Sequence, residues 1–312
     1  MPARWNSRNR PPSLLELGRR FPDDDACAAY LEAKRWPNGF TCPACGSCSA
    51  WRLQTKRWTF ECRECGRQTS VTAGTVMHGS KVPLRTWFYA AHLLATHSNG
   101  MSALQLQAKL GLGSYKTAWL LLHKLRRSMV DPDRTLLEGD VEVDETTIPF
   151  RTKDDPLTGG QGRSQIGKIV VVGAVEVDGP RPGRIRLEVV PDYRAQTLQG
   201  FIRRTIAPGS NLVTDGNRSY ASTPGYTHSA TVVRSMPAHI FLPWVHRVFA
   251  NVKRWGTGVL HGFRKKYLAA YLNEFVFRWN RRYFYRSAFD SLLGIAVKVT
   301  PATLSDIRAS AA

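Results

Sequence analysis

The 312-residue sequence lacks the long apolar run that a membrane span requires. A spanning helix needs about 20 consecutive apolar residues, whereas the longest aliphatic run here, around 169–175, has the length of a strand. The basic N-terminus is not followed by the apolar segment that a secretory signal contains. There is no internal repeat and no low-complexity tract. We therefore expect a cytoplasmic protein with a sizeable core and no membrane partner.

Acidic residues are scarce as well. The sequence has 24 Asp and Glu against 44 Lys and Arg, a formal net charge of +20. Half of these acids lie in residues 137–243, where 12 acidic and 12 basic residues cancel, while residues 1–136 carry +11 and residues 244–312 carry +9. Basic flanks can bind phosphates, and central acids can hold divalent cations. The charge predicts a polyanion partner, although Arg-rich helices in an ordinary soluble protein remain an alternative.

Cysteines are few, and four of the six fall into two C-x2-C pairs: Cys42 with Cys45, and Cys62 with Cys65. Sixteen residues separate the pairs, a spacing that predicts a tetrathiolate zinc ribbon over residues 38–75. Four thiolates leave no open position for a substrate, so the expected role of the zinc is structural. The alternatives are two disulfides or buried thiols, and nothing directs the chain to an oxidising compartment. We expect Cys27 and Cys48 to be bystanders.

The remaining N-terminal part divides at breaks in helical periodicity. Residues 1–37 are predicted to be an N-terminal arm, loose up to residue 22, followed by a short helix that starts at Asp23. Residues 81–130 are predicted to be a helical DNA-binding region with a turn at 111–113. If its two last helices form a helix-turn-helix, the second begins after Ser114 and places Tyr115, Lys116 and Thr117 in the DNA major groove. An ordinary helical hairpin fits the same pattern.

The character changes after residue 132. Three β-branched runs, at 141–148, 168–177 and 183–191, precede a helix at 195–206 and a short strand at 211–216. Residues 227–233 are a candidate fifth strand, and a basic, aromatic helical stretch begins near Pro243. This order predicts an α/β domain with a mixed sheet over residues 137–290, followed by a C-terminal tail at 291–312.

Two aspartates in this domain are candidate metal ligands. Asp144 alternates with apolar residues in the first strand, and Asp215 ends the fourth. Adjacent strands could bring both carboxylates to one or two Mg²⁺ ions, which prefer oxygen ligands. A third ligand should come from the later helix, where His246 and Lys253 share one face. On spacing alone, however, an exposed histidine and a phosphate-binding lysine are the more probable roles of these two residues.

Taken together, five motifs resemble the zinc-ribbon DDE transposases of bacterial insertion sequences, specifically the ISXO-two-like transposase group. The resemblance covers nearly the whole chain and rests on the following segments, in this order: CPACG…CRECG, VEVDET, VTDG, HRVFANVKRW and LHGFRKKYLAAYLNEFVFRWNRR. It implies an RNase H-like catalytic domain in which Asp144 and Asp215 are the first two metal-binding acids. His246 aligns with the third position, which varies among relatives between Glu, Asn and His. Lys253 matches the basic residue that follows it.

Two other residues are alternative ligands, and the sequence differs from the family pattern at two places. Asn251 is the alternative for the third position, and Glu274 matches the tail motif as a less favoured ligand. A histidine in place of a carboxylate removes a negative charge and a hard ligand, which would weaken binding of a second metal. Relatives also often carry glycines shortly after the VDET strand, where this sequence has TTIPF and a polar insert.

The resemblance implies a DNA transposase that cleaves and joins strands with catalytic Mg²⁺ or Mn²⁺ and carries one structural zinc. Its partners would be the terminal inverted repeats of the element and a target DNA, and it would associate with the nucleoid. Lys253 and Arg254 would contact DNA. Synapsis of two ends implies a homodimer or a higher oligomer. The alternatives are a DNA-binding regulator with an impaired RNase H-like domain and a nuclease that cleaves without joining.

Overall fold

A computed structural model describes residues 10–97, 99–151, 166–221, 223–230 and 238–309. The chain divides into two compact units, one of Met1–Pro132 with Arg281–Ser310 and one of Asp133–Asn280. Within the described residues the elements are, in chain order, α1 (Leu14–Arg20), α2 (Asp24–Arg35), β1 (Ala50–Arg52), β2 (Thr59–Cys62), β3 (Gln68–Ser70), α3 (Leu84–Thr96), α4 (Ala103–Leu110), α5 (Tyr115–Arg127), β4 (Asp140–Pro149), β5 (Lys168–Asp178), β6 (Arg181–Val190), α6 (Ala195–Thr205), β7 (Asn211–Thr214), β8 (Thr227–Ala230), α7 (Ala238–Phe241), α8 (Pro243–Leu260), α9 (Leu268–Asn280), α10 (Tyr285–Ala296) and α11 (Leu304–Ala309).

The first unit begins with a helix where the sequence predicts a loose arm. Ser13 and Glu16 form a capping box at the start of α1, and Leu17 is fully buried. The prediction of a loose arm is therefore wrong for residues 14–20, while residues 1–9 lie outside the described part of the chain. The capping box satisfies two backbone donors that a short helix would otherwise expose, and the basic and proline residues just before it conceal this signal. The helix predicted from Asp23 is present, with Asp23 as its N-cap.

The first unit also contains the three-stranded antiparallel sheet β1-β2-β3 of the cysteine-rich segment and the helices α3 to α5. The chain turns between α4 and α5 at Gly111, which has the left-handed φ of 59° that favours glycine. The second helix follows Ser114, as predicted. Two helices joined by a short glycine turn are thus present, and their contact with DNA stays a prediction.

The C-terminal boundary differs from the predicted one. The sequence predicts a catalytic domain up to residue 290 and a tail from 291, whereas the second unit ends at Asn280. Phe289 of α10 is fully buried, and its ring centroid is 5.8 Å from that of Phe88 and 6.0 Å from that of Phe21. The chain after residue 280 therefore completes the aromatic core of the first unit. Sequence periodicity identifies such a helix but does not say which core it enters.

The second unit is built on a five-stranded mixed sheet with the order β6-β5-β4-β7-β8. The first three strands are antiparallel, and β7 and β8 run parallel to β4 and to each other. Strand β5 reads KIVVVGAVEV, and its buried β-branched residues pack on both faces of the sheet. The predicted α/β class with a mixed, RNase H-like sheet is confirmed.

Each face of this sheet is covered by helices. On one face α6 packs through Leu198, Phe201 and Ile202 against Val141 and Val143 of β4. On the other face α8 and α9 pack on alternate residues of β5 and β6. Side chains on β4 alternate between these faces, so successive residues of its acidic motif point into different surroundings. No helix among the described residues is long and apolar enough to cross a membrane.

Candidate functional site

The four paired cysteines converge at the end of the β1-β2 hairpin. Their sulfur atoms all lie within 4.8 Å of one another, and the distances are 3.6 Å from Cys42 to Cys65 and 3.5 Å from Cys45 to Cys62. A disulfide would need about 2.05 Å between its sulfurs. The arrangement instead fits one tetrahedral zinc ion held by thiolates from both pairs, in line with the predicted structural zinc site and not with two disulfides.

Local backbone geometry prepares this site. Gly46 and Gly66, each directly after the second cysteine of a pair, adopt left-handed φ values of 75° and 69°. Their amides donate to the carbonyls of Cys42 and Cys62, which closes the two tight turns. Inside the first turn the amides of Cys45 and Ala44 lower the pKa of Cys42 to about 6. The turn thereby favours the thiolate, the form that binds a metal.

The acidic site is centred on β4 and β7. Asp140, Val141 and Glu142 pair in parallel register with residues 211, 212 and 213 of β7. Asp144 lies two residues beyond Glu142 on β4, and Asp215 lies two residues beyond Val213. Since parallel strands advance at the same rise, continuing this register by two residues would bring the two aspartates side by side. The charges of both aspartates act on Tyr220, but the observed pairing of the strands ends at Glu142 and Val213, so the shared site stays a prediction.

Helix α8 brings His246 to Asp144. The His246 Nε2 atom is 3.4 Å from a carboxylate oxygen of Asp144, whose side chain is only 10% exposed. Asn251, the alternative third residue, lies five positions further on α8, which turns it about 140° away from His246 around the helix axis. Glu274 lies fully buried on α9 and is 3.7 Å from Arg278 in an i,i+4 ion pair. Of these candidates, His246 is the one that the fold places against Asp144.

A glycine on the neighbouring strand makes this approach possible. Gly173 of β5 pairs directly with Asp144 and shares its face of the sheet. A Cβ atom at position 173 would lie 2.7 Å from the ring of Phe249, one turn after His246 on α8. Such a contact is closer than packed carbon atoms tolerate. The missing side chain therefore lets α8 pack onto the sheet at the level of Asp144.

Glu142 fixes the start of the same helix. Its carboxylate accepts hydrogen bonds from the backbone amides of Trp244 and Val245, over 2.9 Å and 2.8 Å. These donors are otherwise unsatisfied at a helix N-terminus, where a negative charge is favourable. Burial raises the pKa of Glu142, against these two hydrogen bonds. Glu142 thus ties β4 to α8, a role that the alternating motif alone does not reveal.

The lysine predicted next to the site lies on its rim. Lys253 Nζ donates to Thr146 Oγ1 over 2.8 Å, on the face of β4 that also carries Asp144. Burial and the nearby charge of Lys168 lower the pKa of Lys253, while Asp144 raises it. Lys168 lies at the start of β5. The sequence does not predict its position near Lys253, because the pairing of β5 with β4 is visible only in the structure. Arg254, the other predicted DNA contact on α8, is exposed.

The opposite face of β4 adds residues that sequence reasoning missed. The Glu145 carboxylate accepts a hydrogen bond from the hydroxyl of Tyr220 and another, over 3.1 Å, from the side-chain amide of Asn217. Burial and the charges of Glu145, Asp144 and Asp215 raise the pKa of Tyr220 far above its usual range. The segment that follows Asp215 is thereby bound to β4. No motif in the sequence signals this tie, since it joins residues 72 and 75 positions apart.

The predicted ligands of the two sites differ in how closely the fold brings them together. Among the residues that the structure describes, the four cysteines form the one group of three or more possible ligands close enough together to hold an ion. His246 lies against Asp144, and Asp215 would lie alongside if the register of β4 and β7 continued by two residues. Two carboxylates, with water at the other positions, are a common way to hold Mg²⁺, so these residues fit an ion bound by Asp144 and Asp215. The polar insert after the VDET strand, residues 152–165, lies outside the described residues.

The predicted DNA-reading residues lie at the start of α5. Tyr115 and Lys116 are exposed and Thr117 is half-buried. Further along the helix, the buried His123 stacks on Trp119 with ring centroids 4.0 Å apart. The start of α5 is thus open to a partner while its later turns belong to the core.

Comparison with known families agrees with this architecture. Residues 136–280 match the model of the ISXO2-like transposase domain, and residues 22–68 match the transposase zinc-ribbon domain. The first match ends at Asn280, the residue at which the second structural unit also ends. The two matched regions are those of a zinc-ribbon DDE-type transposase. The chain thus contains one region similar to the ISXO2-like transposase domain and another similar to the transposase zinc ribbon.

A similar protein occurs in an archaeal transposable element. The chain is 34% identical over 144 residues to an uncharacterized protein in transposable element ISH50 of Halobacterium salinarum. The aligned region is 44% of this chain and 48% of that protein, so the match spans about half the length of the relative. No solved structure matches the chain significantly.

Proposed function

We propose that this chain is a DNA transposase of an insertion sequence, which cleaves and joins DNA strands at the ends of its element with the help of Mg²⁺ or Mn²⁺. The observation that supports the proposal is the parallel register of β4 and β7 within a region that matches a transposase domain, since two more residues of the same register would bring Asp144 and Asp215 side by side. The partners would be the terminal inverted repeats and a target DNA. Synapsis of two ends would require at least two protomers, and we expect the protein on the nucleoid.

The residues divide the work of one phosphoryl transfer. Asp144 and Asp215 would hold the divalent ion, which when bound lowers the pKa of water and neutralises charge at phosphorus. Lys253 lies at the rim, where it would contact a non-bridging oxygen of the scissile phosphate. His246 would orient the Asp144 carboxylate and complete the site when its imidazole is neutral.

Cleavage and joining are the same displacement with different nucleophiles. In cleavage a water oxygen attacks phosphorus, the bond to the 3′ oxygen breaks, and that oxygen leaves and takes up a proton. In strand transfer the freed 3′ hydroxyl attacks a target phosphodiester, loses its proton, and displaces the target's own 3′ oxygen. Each step forms one P–O bond and breaks another, so one set of side chains serves both.

A specific observation favours a second candidate. Since the described acids and His246 do not converge as a group of three ligands, the chain could bind element ends as a regulator whose catalytic site is impaired. His246 in place of a carboxylate is consistent with that role. A nuclease without joining activity is the third possibility that the same assay separates.

The test is a cleavage and joining assay on a DNA that carries both termini flanking the coding region, with Mg²⁺ or Mn²⁺. Asp144→Asn should lower cleavage about a thousandfold or more, since the bound ion contributes several kcal/mol to the transition state, while binding to the ends persists. The matched control is Asp140→Asn on the same strand, where the carboxylate is exposed and bonds the Asn211 amide over 2.9 Å. It should retain the wild-type rate.

Three outcomes distinguish the candidates. Nicking followed by joining supports the transposase. End binding without nicking, in wild type as in the variant, supports the regulator, and hydrolysis without joining supports the nuclease. An unchanged cleavage rate in Asp144→Asn contradicts the catalytic assignment itself.

A further inference from the structure

Helix α8 runs alongside strand β4 in the same direction. Near its start, His246 Nε2 is 3.4 Å from the Asp144 carboxylate. Two turns later, Lys253 Nζ donates to Thr146 Oγ1 over 2.8 Å. Positions further along the helix thus contact positions further along the same face of the strand.

The end of the helix meets the end of the strand. Just past β4, the Arg151 amide donates to the carbonyl of Phe263 over 2.7 Å, and the Arg151 guanidinium donates to the carbonyl of His261. Arg151 therefore binds the carbonyl end of α8, where a cation is favourable. The contacts with β4 extend along the helix from its first turn to its last.

Two independent lengths agree on how far this surface reaches from the acidic site. From Asp144 to Arg151 are seven residues of strand, or about 23 Å at roughly 3.3 Å per residue. From His246 to His261 are fifteen residues of helix, or about 22 Å at 1.5 Å per residue. The C-terminal end of α8 thus lies about 22–23 Å from the candidate scissile position.

The charge along this surface has one sign. Between Asp215 and Glu274 the sequence has 58 residues without a single acid and with eight Lys and Arg. The exposed side of α8 consists of basic, small or polar residues at helical spacing, namely Arg247, Ala250, Arg254, Thr257 and His261. Their spacing of three and four places them on one stripe. No large apolar side chain lies in this stripe.

A group of exposed cations lies at the far end of the stripe. We call Arg151, Arg264, Lys265 and Lys266 the basic cluster, and all four are exposed. The Lys265 ammonium is 5.9 Å from the ring centroid of Phe150, so the cluster is anchored to the end of β4. Like charges gathered at one place repel each other unless an anion shares the site.

We infer that duplex DNA lies along α8 and that its phosphates about seven nucleotides from the scissile phosphate bind the basic cluster. The distance follows from about 22–23 Å of protein surface and 3.4 Å of rise per nucleotide of one strand. The inference rests on the proposed function, since the acidic site defines where the scissile phosphate lies. It adds a second contact point, and a fixed spacing, to that function.

A DNA backbone fits this surface better than other polyanions do. The stripe is linear, continuous with the acidic site and about two-thirds of a helical turn of DNA in length, since one turn spans about 34 Å. An anionic membrane surface would also attract the cations, but stable binding there uses apolar anchors beside the charges. The stripe offers none.

The test compares two triple variants of equal charge. One replaces the three consecutive cations of the basic cluster, as Arg264→Ala, Lys265→Ala and Lys266→Ala, and leaves Arg151 to hold the helix end. The control removes three exposed arginines of β6 and α6 instead, as Arg181→Ala, Arg194→Ala and Arg203→Ala. Binding is measured between 50 and 200 mM salt on duplexes that carry the terminal sequence. The duplexes extend either 12 or 4 base pairs past the scissile phosphate. Two separate series shorten the duplex from one side or from the other.

With wild-type protein, trimming one of the two sides to 4 base pairs should remove the cluster's contacts. The logarithm of the binding constant falls linearly with the logarithm of the salt concentration, with a slope of about 0.9 per phosphate contact. A complex that has lost three contacts should therefore lose about 40-fold less affinity than the intact complex between 50 and 200 mM salt. The cluster variant should show this smaller fall already on the long duplex, and trimming should not change it further. The control variant should behave as wild type on both lengths.

Equal salt dependence of the cluster variant and wild type on the long duplex would overturn the inference. So would a cluster variant that responds to trimming as wild type does, or one that loses binding to anionic phosphatidylserine vesicles but not to DNA. Wild-type cleavage with Mg²⁺, measured in parallel, separates the two hypotheses. If wild type cleaves the ends and the cluster has no effect, the inference alone fails, and if wild type neither binds nor cleaves them, the proposed function fails.

Discussion

The zinc site and the acidic site of this protein are both small groups of ligand side chains, but they are assembled by opposite means. The four cysteines come from two tight turns within 24 residues of chain, and their sulfurs converge to within 4.8 Å. The residues of the proposed acidic site come from two strand segments and a helix spread over more than 100 residues, so their approach depends on sheet register and helix packing. Ligands that lie in two turns are positioned by the local backbone. Ligands that lie on different strands and helices are positioned only if all of these elements pack correctly.

The surroundings of the two sites differ in the same way. Around the zinc site, the buried apolar cluster consists of Phe40, Cys42 and Cys62, with a few half-buried neighbours. So small a core cannot offset the conformational entropy of the ribbon, and the metal must supply the rest. The acidic site lies on a sheet that buries large apolar clusters on both faces. Its fold therefore needs no metal, while its catalytic geometry needs the packing.

Removal of zinc should give the largest effect and divide the two regions most clearly. A structural zinc contributes about 10–16 kcal/mol in zinc-finger peptides, so Cys45→Ser should abolish zinc binding and unfold the ribbon. Zinc content, measured by a colorimetric chelator, should fall from one per chain to none. Limited proteolysis should then cut within residues 40–70, while the fragment of the second unit stays intact.

The matched control is Cys48→Ser, an exposed cysteine in the same turn that is not one of the four ligands. It should retain one zinc and full protease resistance. A ribbon that resists proteolysis after zinc removal would show that the turns and the small core suffice, and that the metal is not what completes this region.

A substitution at Gly173 should disturb the acidic site and leave the zinc site intact. Gly173→Ala places a methyl group 2.7 Å from the Phe249 ring, and overpacking of this kind costs about 1–3 kcal/mol. The thermal midpoint should fall and α8 should move away from the sheet, which separates His246 from Asp144 and lowers the cleavage rate. Zinc content should stay at one per chain.

Two further variants sharpen this result. Gly258→Ala on the exposed side of α8, where nothing lies within 4 Å of the added carbon, should stabilise the helix by up to about 1 kcal/mol. Phe249→Leu together with Gly173→Ala should recover part of the lost activity because the smaller side chain makes room. If Gly173→Ala leaves both the thermal midpoint and cleavage unchanged, close packing of α8 is not what forms the site.

This contrast also explains how far the sequence predicts the molecule. Cysteine spacing reveals the ribbon because its ligands are set by local turns, and the β-branched runs reveal β4, β5 and β7 because alternation and burial are local patterns. Sequence patterns carry no register, so they miss the proximity of Lys168 to Lys253 and the hydrogen bonds of Tyr220 with Glu145. The C-terminal boundary fails for the same reason, since α10 is helical by pattern but joins a core formed by residues of the N-terminal third. The roles of Asp144, Asp215, His246 and Lys253 remain predictions.

The smallest expected effect lies at the rim of the acidic site, where Thr146→Val removes the hydroxyl that accepts from Lys253 Nζ. Although the Lys253 ammonium is partly desolvated, its side chain still reaches solvent at the rim. Water therefore replaces the lost bond, and stability should change by less than about 0.5 kcal/mol. The ammonium would nevertheless sample more positions, so we expect cleavage to slow by about threefold to tenfold, in line with roughly 1 kcal/mol for one hydrogen bond. Thr147→Val is the same substitution on the opposite face of β4 and should leave cleavage unchanged. Equal slowing by both variants would mean that the strand, rather than the position of the lysine, limits the reaction.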